Sequence, residues 1–240
     1  YDDDAAIHGL LGREGTPPLE LLKAGREEVR SYGGEIVEGE VVAAQRDGDL
    51  LMVTLADGRR LHARRLLVTT GLVDRLPEVA GLSERWGHDV IHCPYCHGWE
   101  VRDRVIGVLH IGPVSMHQAL LFRQLSDSIV FFTNGTELEP EHVEELEARK
   151  GRVVEGTVVG TEVRDGVLTG LRLEDGRVEP CEAVVVATRM EARASFLGHL
   201  GLLPEDHPSG LGQYVPADAT GRTSVDGVWV AGNVTDVAAT

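Results

Sequence analysis

Cysteine is scarce. The 240 residues carry three, two of them in one Cys-x-x-Cys, which is not the even, dispersed set from which a small secreted domain builds a disulfide framework. That usage points to a reducing compartment, and a cytoplasmic location is expected. Positive charge is short as well: 23 Lys and Arg stand against 39 Asp and Glu, a formal net charge of −16. A polyanion approaching such a surface meets a repulsive field, so nucleic acid and anionic membrane are poor partners. No apolar run approaches the roughly 20 residues that span a bilayer; segments such as Ala183 to Ala187 suit buried strands instead. The chain opens on the acidic Tyr1 to Asp4, without a Met and without a basic or apolar targeting stretch, and Val228 to Thr240 stops just after a strand-like run and a Gly-Asn turn. Both ends read as cut.

What is present is a chain of 42% apolar residues, enough to bury a core in one large domain or two ordinary ones. It also repeats itself. Gly34-Glu-Ile-Val-Glu-Gly-Glu-Val-Val42 recurs as Gly151-Arg-Val-Val-Glu-Gly-Thr-Val-Val159, an offset of 151 − 34 = 117. Asp57-Gly58 matches Asp175-Gly176, and Leu66 to Gly71 matches Val184 to Arg189, at 118, so one residue is inserted between the matches. Each copy reads as short β-branched strands joined by tight turns and closing in an apolar strand of the kind buried in a parallel sheet.

A helix precedes each copy. In the first, Thr16 is expected as N-cap with Pro17 at the opening helical position; Leu19, Leu22 and Val29 share a face, and Gly33-Gly34 ends the helix. In the second, Glu139 to Lys150 is the counterpart. Upstream of it, a strand (Arg104 to Ile111), a Gly-containing turn, a helix (Ser115 to Leu125) and a strand (Ser128 to Thr133) form a βαβ unit, the phosphate-binding half of a dinucleotide fold. The first copy has no room for its own. The expected fold is α/β: two Rossmann-like, three-layer domains with β-meander insertions, the first βαβ unit missing, which is on the order of thirty residues. The competing reading is a recurrent β-meander without a duplicated domain.

The sharpest motif is His92-Cys93-Pro94-Tyr95-Cys96-His97-Gly98-Trp99. Pro94 suits the first position of a helical turn, and residues three apart on such a turn lie close enough for two thiols to close and reopen a disulfide. A thiol at a helix start is stabilised as thiolate, the form that attacks a disulfide. His97 is placed by sequence to act as general acid/base for the thiol proton. Two other uses of the pair stay open. A zinc site would need two more ligands, and His92 and His97 adjoin the cysteines too closely to share one tetrahedron easily; a purely structural pair of thiols is the other. Cys181, on a strand-like segment, reads as a small buried hydrophobe.

The duplication, the Cys-x-x-Cys in its second copy, and the endings Leu67-Val-Thr-Thr-Gly71 and Val230-Ala-Gly-Asn-Val-Thr-Asp236 resemble the low-molecular-weight thioredoxin reductase family over nearly the whole chain. More narrowly, Cys93-Pro-Tyr-Cys-His-Gly-Trp99 is similar to flavin-dependent dithiol oxidases that close disulfides in small natural products such as gliotoxin and holomycin; thioredoxin reductases usually carry Asp where His97 stands. The resemblance implies an oxidoreductase with FAD as cofactor, an incomplete FAD-binding domain at 1–85 and 210–240, and a pyridine-nucleotide-type domain at 86–209. It implies Thr70 and Gly71 beside FAD and Gly232, Asn233 and Asp236 as the second flavin contact, with Asp236 accepting a ribityl hydroxyl. Cys96 would be the thiol nearer the flavin and Cys93 the one that exchanges with substrate. A small-molecule dithiol or a thioredoxin-like protein is the implied partner, and a homodimer the implied assembly.

Departures from the pattern matter. The Gly-x-Gly-x-x-Gly for the FAD pyrophosphate is absent. The turn Ile111-Gly-Pro-Val-Ser-Met-His117 replaces the corresponding motif for the other nucleotide, Pro113 removes an N–H donor, and Phe131 to Glu137 supplies no Arg or Lys for a 2′-phosphate. NADPH is therefore doubtful, and the oxidase direction is preferred, with electrons passing from a substrate dithiol through Cys93/Cys96 to flavin and oxygen. The rivals are an NADPH-dependent disulfide reductase and, from another class, a non-catalytic nucleotide- or zinc-binding regulatory protein.

Overall fold

The computed structural model describes residues 6–239, which form two compact units threaded alternately by the chain: 6–34 with Leu76–Ala187, and Glu35–Arg75 with 188–239. The chain thus crosses at 34/35, 75/76 and 187/188, whereas the two nucleotide-type domains were expected to divide at 85/86 and 209/210.

In the first unit, helix α1 (Pro18–Ser31) opens one residue later than expected. Pro17 is the residue flanking it, and no side chain caps it. Thr16 serves instead through its backbone, its carbonyl accepting the N–H of Ile7 and its N–H donating to the carbonyl of Arg13. Gly33 takes φ +82°, in the left-handed region that closes a helix. The apolar face of α1 stands exposed, Leu19 at 61% and Leu22 at 48%.

The chain then enters the second unit as a meander of β1 (Val41–Asp47), β2 (Leu50–Leu55) and β3 (Arg60–Ala63), followed by β4 (Leu66–Val68) and β5 (Leu72–Arg75). Returning to the first unit, it forms β6 (Val90–Ile91), a single turn α2 (Pro94–His97), β7 (Ile106–Leu109), α3 (Val114–Phe122), β8 (Ile129–Phe132), α4 (Pro140–Ala148) and β9 (Arg152–Val154). A second meander, β10 (Val158–Arg164), β11 (Val167–Leu173) and β12 (Val178–Glu179), leads to β13 (Ala183–Val186).

Five of these strands make a parallel sheet in the order β6-β13-β7-β8-β9. Both faces are covered, which is why β7, β8 and β13 are apolar at every position. Alternate residues divide between two cores. Ile106, Val108, Phe131, Ala183 and Val185 pack with Met116 and Phe122 of α3 and Leu146 of α4. Leu109, Val130, Phe132, Val184 and Val186 pack with Leu168, Leu171 and Leu173 of the meander. Helices, sheet and meander are thus the three layers of the expected α/β fold. The strand order reverses beside β7, so the crevice at the carboxyl end of that strand is the switch point where such sheets take ligands.

The duplication is visible in geometry as well as in letters. Arg59 holds Asp57 at 2.6 Å and the carbonyl of Glu38 at 2.7 Å; Arg177 holds Asp175 at 2.7 Å and the carbonyl of Glu155 at 3.1 Å. Both meanders bulge at their first strand, between Val41 and Ala43 and between Val158 and Gly160. The inserted residue is absorbed by a second bulge in the later copy: Glu162 pairs with Gly170 and Val163 with Leu168, leaving Thr169 out of register.

The last passage through the second unit gives β14 (Arg189–Ala192), antiparallel to β5, a short hairpin of β15 (Glu205–Asp206) and β16 (Gln213–Tyr214), and β17 (Val228–Val230), parallel to β4. Its core joins Ala44 and Leu51 of the meander to Val68, Leu197, Val215, Val228 and Val230. Among the described residues, no helix is long and apolar enough to cross a membrane.

Candidate active site

The dithiol lies in the first unit, just past the end of β6. Cys93 is extended (φ −105°, ψ 120°) and flanks α2, with Pro94 at the opening position. One helical turn follows, closed by the N–H of His97 on the carbonyl of Cys93 (3.2 Å) and that of Gly98 on Pro94 (3.0 Å). The turn is pressed against its surroundings at Gly98, where an added Cβ would lie 2.3 Å from the Pro94 carbonyl oxygen and 2.4 Å from Leu125 Cδ1. From the other side, buried Gln118 of α3 donates to the carbonyl of His92 at 2.9 Å, and Trp86 stacks on the His92 ring at 5.5 Å. A helix and a ring therefore fix the chain just before the first thiol.

The two sulfurs sit 2.7 Å apart, with the thiol of exposed Cys96 donating to half-buried Cys93. That bond, helped by the N–H groups of Cys96 and Tyr95, outweighs burial and lowers the Cys93 thiol from 9.0 to about 6. Cys96 is driven the other way, because the proton it donates is the one it would have to lose. The first ionisation thus belongs to Cys93, the thiol at the helix start. Cys181 is 1% exposed and burial pushes its thiol up to about 12, as suits a packing residue.

His97 is half-buried, and its Nδ1 is enclosed without a hydrogen-bond partner. Burial lowers its pKa below the ordinary 6.5, Glu100 opposes this and His8 adds to it. Sequence spacing gave no sign of His8 or Glu100, which meet across 92 positions at 2.7 Å. Among the described residues, no group of three or more His, Cys, Asp or Glu is placed to hold a metal ion.

The nucleotide-type turn after β7 uses two of its own donors locally. The N–H of Ile111 goes to the hydroxyl of fully buried Ser115 (3.1 Å), which itself donates to the carbonyl of Leu109 (3.3 Å). The N–H of Ser115 goes to Gly112 and that of His110 to Phe132, while Pro113 has none. Two of the turn's N–H groups are thus taken up locally, and Pro113 adds no third.

The second unit brings together the five residues expected at flavin. β4 and β17 run in parallel, with Val68 opposite Val230 and the N–H of Ala231 on the carbonyl of Val68 at 3.0 Å. Thr70 and Gly71 therefore leave one strand end beside Gly232, Asn233 and Asp236 leaving the next. Gly71 (φ +67°) and Gly232 (φ +74°) are left-handed, and nothing lies within 4 Å of where a Cβ would stand on either. Such open backbone at adjacent parallel strand ends fits the close approach of a dinucleotide such as FAD. The individual side chains are partly committed: Thr70 donates to the carbonyl of Arg193 at 2.6 Å, the Asn233 amide to that of Ala239 at 2.8 Å, and Asp236 accepts the N–H of Ala238 at 2.9 Å. Thr70 also lines an open cleft of about 1050 Å³ with Gly39, Arg75, Arg193 and Phe196.

Residues 6–240 match the family described as pyridine nucleotide-disulphide oxidoreductase. The crystal structure of HlmI is 41% identical with a TM-score of 0.88, over 99% of this chain and 74% of that one. An oxidoreductase from Agrobacterium tumefaciens is 32% identical with a TM-score of 0.87, over 98% and 79%. Thioredoxin reductase tcpT of Claviceps purpurea is 28% identical over 95% of this chain and 73% of its own length. The chain spans 36% to 73% of the length of the first three curated relatives it matches.

Proposed function

The chain belongs to the pyridine nucleotide-disulphide oxidoreductase family, and from that membership we propose that its whole protein moves electrons between FAD and a dithiol/disulfide substrate through Cys93 and Cys96, in the direction of dithiol oxidation. The observation that carries this reading is the pair of sulfurs 2.7 Å apart, with the first thiol acidified to about 6.

Starting from the Cys93–Cys96 disulfide, a substrate thiolate attacks Cys93 Sγ; the S–S bond breaks and Cys96 leaves with the electron pair, to be protonated. The second substrate thiol gives its proton to His97, and its sulfur attacks the substrate sulfur of the mixed disulfide. Cys93 is released as the thiolate its surroundings favour. The substrate has then lost two electrons and two protons, and the enzyme pair holds the electrons. His97 suits its part because burial keeps it neutral near pH 7, and the enclosure of Nδ1 leaves Nε2 as the atom to exchange protons. Thr70, Gly71, Gly232, Asn233 and Asp236 would hold FAD, which when bound would supply a two-electron acceptor for the reduced Cys93/Cys96 pair. A small-molecule dithiol is the substrate class, and a cytoplasmic homodimer is the assembly the family pattern suggests.

The names of relatives such as tcpT favour a second reading, an NADPH-dependent disulfide reductase. Against it stands the turn after β7, where Ile111 and Ser115 use their N–H groups locally and Pro113 has none. Anaerobic mixing of the full-length flavoprotein distinguishes the two: a dithiol should bleach the flavin absorbance rapidly and NADPH should not. Bleaching by NADPH alone overturns the oxidase reading, and bleaching by dithiol in a Cys96→Ser variant overturns the dithiol relay.

A further inference from the structure

Three arginines stand on or just past the β5–β14 ribbon of the second unit, and two of them are spent. Arg75 of β5 holds Glu191 at 2.8 Å, and Arg189 of β14 holds Asp206 at 2.7 Å. The third, Arg193, follows β14 and is exposed, and its guanidinium has no hydrogen-bond or ion-pair partner among the described residues. Its main chain is held firmly. The N–H of Arg193 donates to the carbonyl of Gly71 at 3.0 Å, and its carbonyl accepts the hydroxyl of Thr70 at 2.6 Å. The two residues expected at flavin after β4 thus fasten the very peptide that carries an uncommitted cation, and Arg193 lines the open cleft of about 1050 Å³ together with Thr70.

The only anionic group of oxidised FAD near pH 7 is its diphosphate; flavin, ribityl chain and adenine are neutral. A chain of net charge −16 repels such a group unless a cation stands where it binds. A guanidinium is always charged and offers paired N–H donors that match phosphate oxygens. Resting on the FAD reading above, we infer that Arg193 binds the diphosphate of FAD. The carboxylates of the same cleft are Glu191, which Arg75 neutralises, and Glu40, which opposes the anion. Because the links from Arg193 to Thr70 and Gly71 run through its backbone, replacing the side chain removes the cation and leaves the turn tied.

The affinity of the full-length apoprotein for FAD, read by quenching of flavin fluorescence, tests this. Arg193→Gln should weaken binding about five- to tenfold at low salt, as befits one charge-assisted contact at an exposed site. The gap to wild type should shrink between about 0.01 M and about 0.15 M salt, where the screening length falls from about 30 to about 8 Å. Arg193→Lys should recover most of the affinity, and Glu40→Gln should tighten binding. Wild type provides a measurement that needs no variant: bound FAD should protect Arg193 from modification by phenylglyoxal, read by mass spectrometry. Modification of Arg193 that ignores FAD overturns the inference, as does an unchanged affinity in Arg193→Gln or a loss that neither salt nor Lys alters. A wild-type protein that takes up no FAD overturns the flavin reading and the inference with it, whereas FAD binding indifferent to Arg193 overturns the inference alone.

Discussion

Replacing Cys96 separates the two contributions to the acidity of Cys93. Its largest cause is the hydrogen bond from the Cys96 thiol, ahead of the opposing burial and the two backbone N–H groups. In Cys96→Ala the donor is gone, and if that bond accounts for the whole displacement, the Cys93 thiol returns from about 6 to the ordinary 9.0. At pH 7 the thiolate fraction then falls from about 90% to about 1%, while the more basic thiolate becomes about twentyfold more nucleophilic for a Brønsted coefficient near 0.45. The net expectation is alkylation by iodoacetamide about four- to fivefold slower at pH 7 and about twentyfold faster at pH 10, where both forms are ionised. In Cys96→Ser a hydroxyl donor remains, so the midpoint of the pH–rate curve should stay well below that of the Ala variant. Cys181 does not interfere, being 1% exposed. Stopped alkylation read by mass spectrometry on the reduced protein measures each curve. Identical midpoints for Cys93 in the Ala and Ser variants would refute the claim that the neighbouring donor sets its acidity.

The packing of the first unit makes a prediction at Gly107 in the middle of β7, where a Cβ would lie 2.9 Å from Phe132 Cε2 and 3.1 Å from Cys181 Sγ. Gly107→Ala should cost about 1–3 kcal/mol by overpacking, read as a lower denaturant midpoint, and an unchanged midpoint would show that Cys181 and Phe132 can give way. The His8 cluster predicts a pH dependence. Its hydrogen bonds to Glu14 and then Glu100 raise the His8 pKa above 6.5, so the stability it contributes is complete below about 6.5 and is lost as pH rises through the higher folded value. The denaturant midpoints of wild type and His8→Gln should therefore differ more at pH 5.5 than at pH 9, and a constant gap would rule out a charged His8.

The sheet of the first unit was legible because its strands are buried on both faces and so read as unbroken apolar runs, Ile129 to Phe132 and Ala183 to Val186. The duplication was legible because its turns demand particular residues: Asp57 and Asp175 each hold an Arg two positions on, and the following glycines are left-handed. The helix start at Pro17-Pro18 slipped by one residue, since either proline can open a helix and only the tertiary structure chooses. His8 and Glu100 could not have been found by spacing, because their 92-residue separation is closed only by folding. The use of Thr70 was hidden for the same reason: its backbone partner, Arg193, lies 123 residues on and is brought near only by the fold.

Why the dithiol should be the chemistry of the first unit follows from what its sheet has kept and what it has spent. The order β6-β13-β7-β8-β9 retains the switch point beside β7, yet the N–H groups of Ile111, Ser115 and His110 there are already bonded to Ser115, Gly112 and Phe132, and Pro113 offers none. A ligand calling on those amides would have to break bonds inside the turn before making its own. Two strands away, at the end of β6, the reverse holds: Cys96 is exposed, Cys93 is poised as thiolate, and an imidazole and a carboxylate carry unmatched buried atoms. Unspent polar capacity marks where a folded chain can still act on something else; in this unit His97, Glu100 and Gln118 each carry such a buried atom, and so does His110 at the mouth of the nucleotide turn.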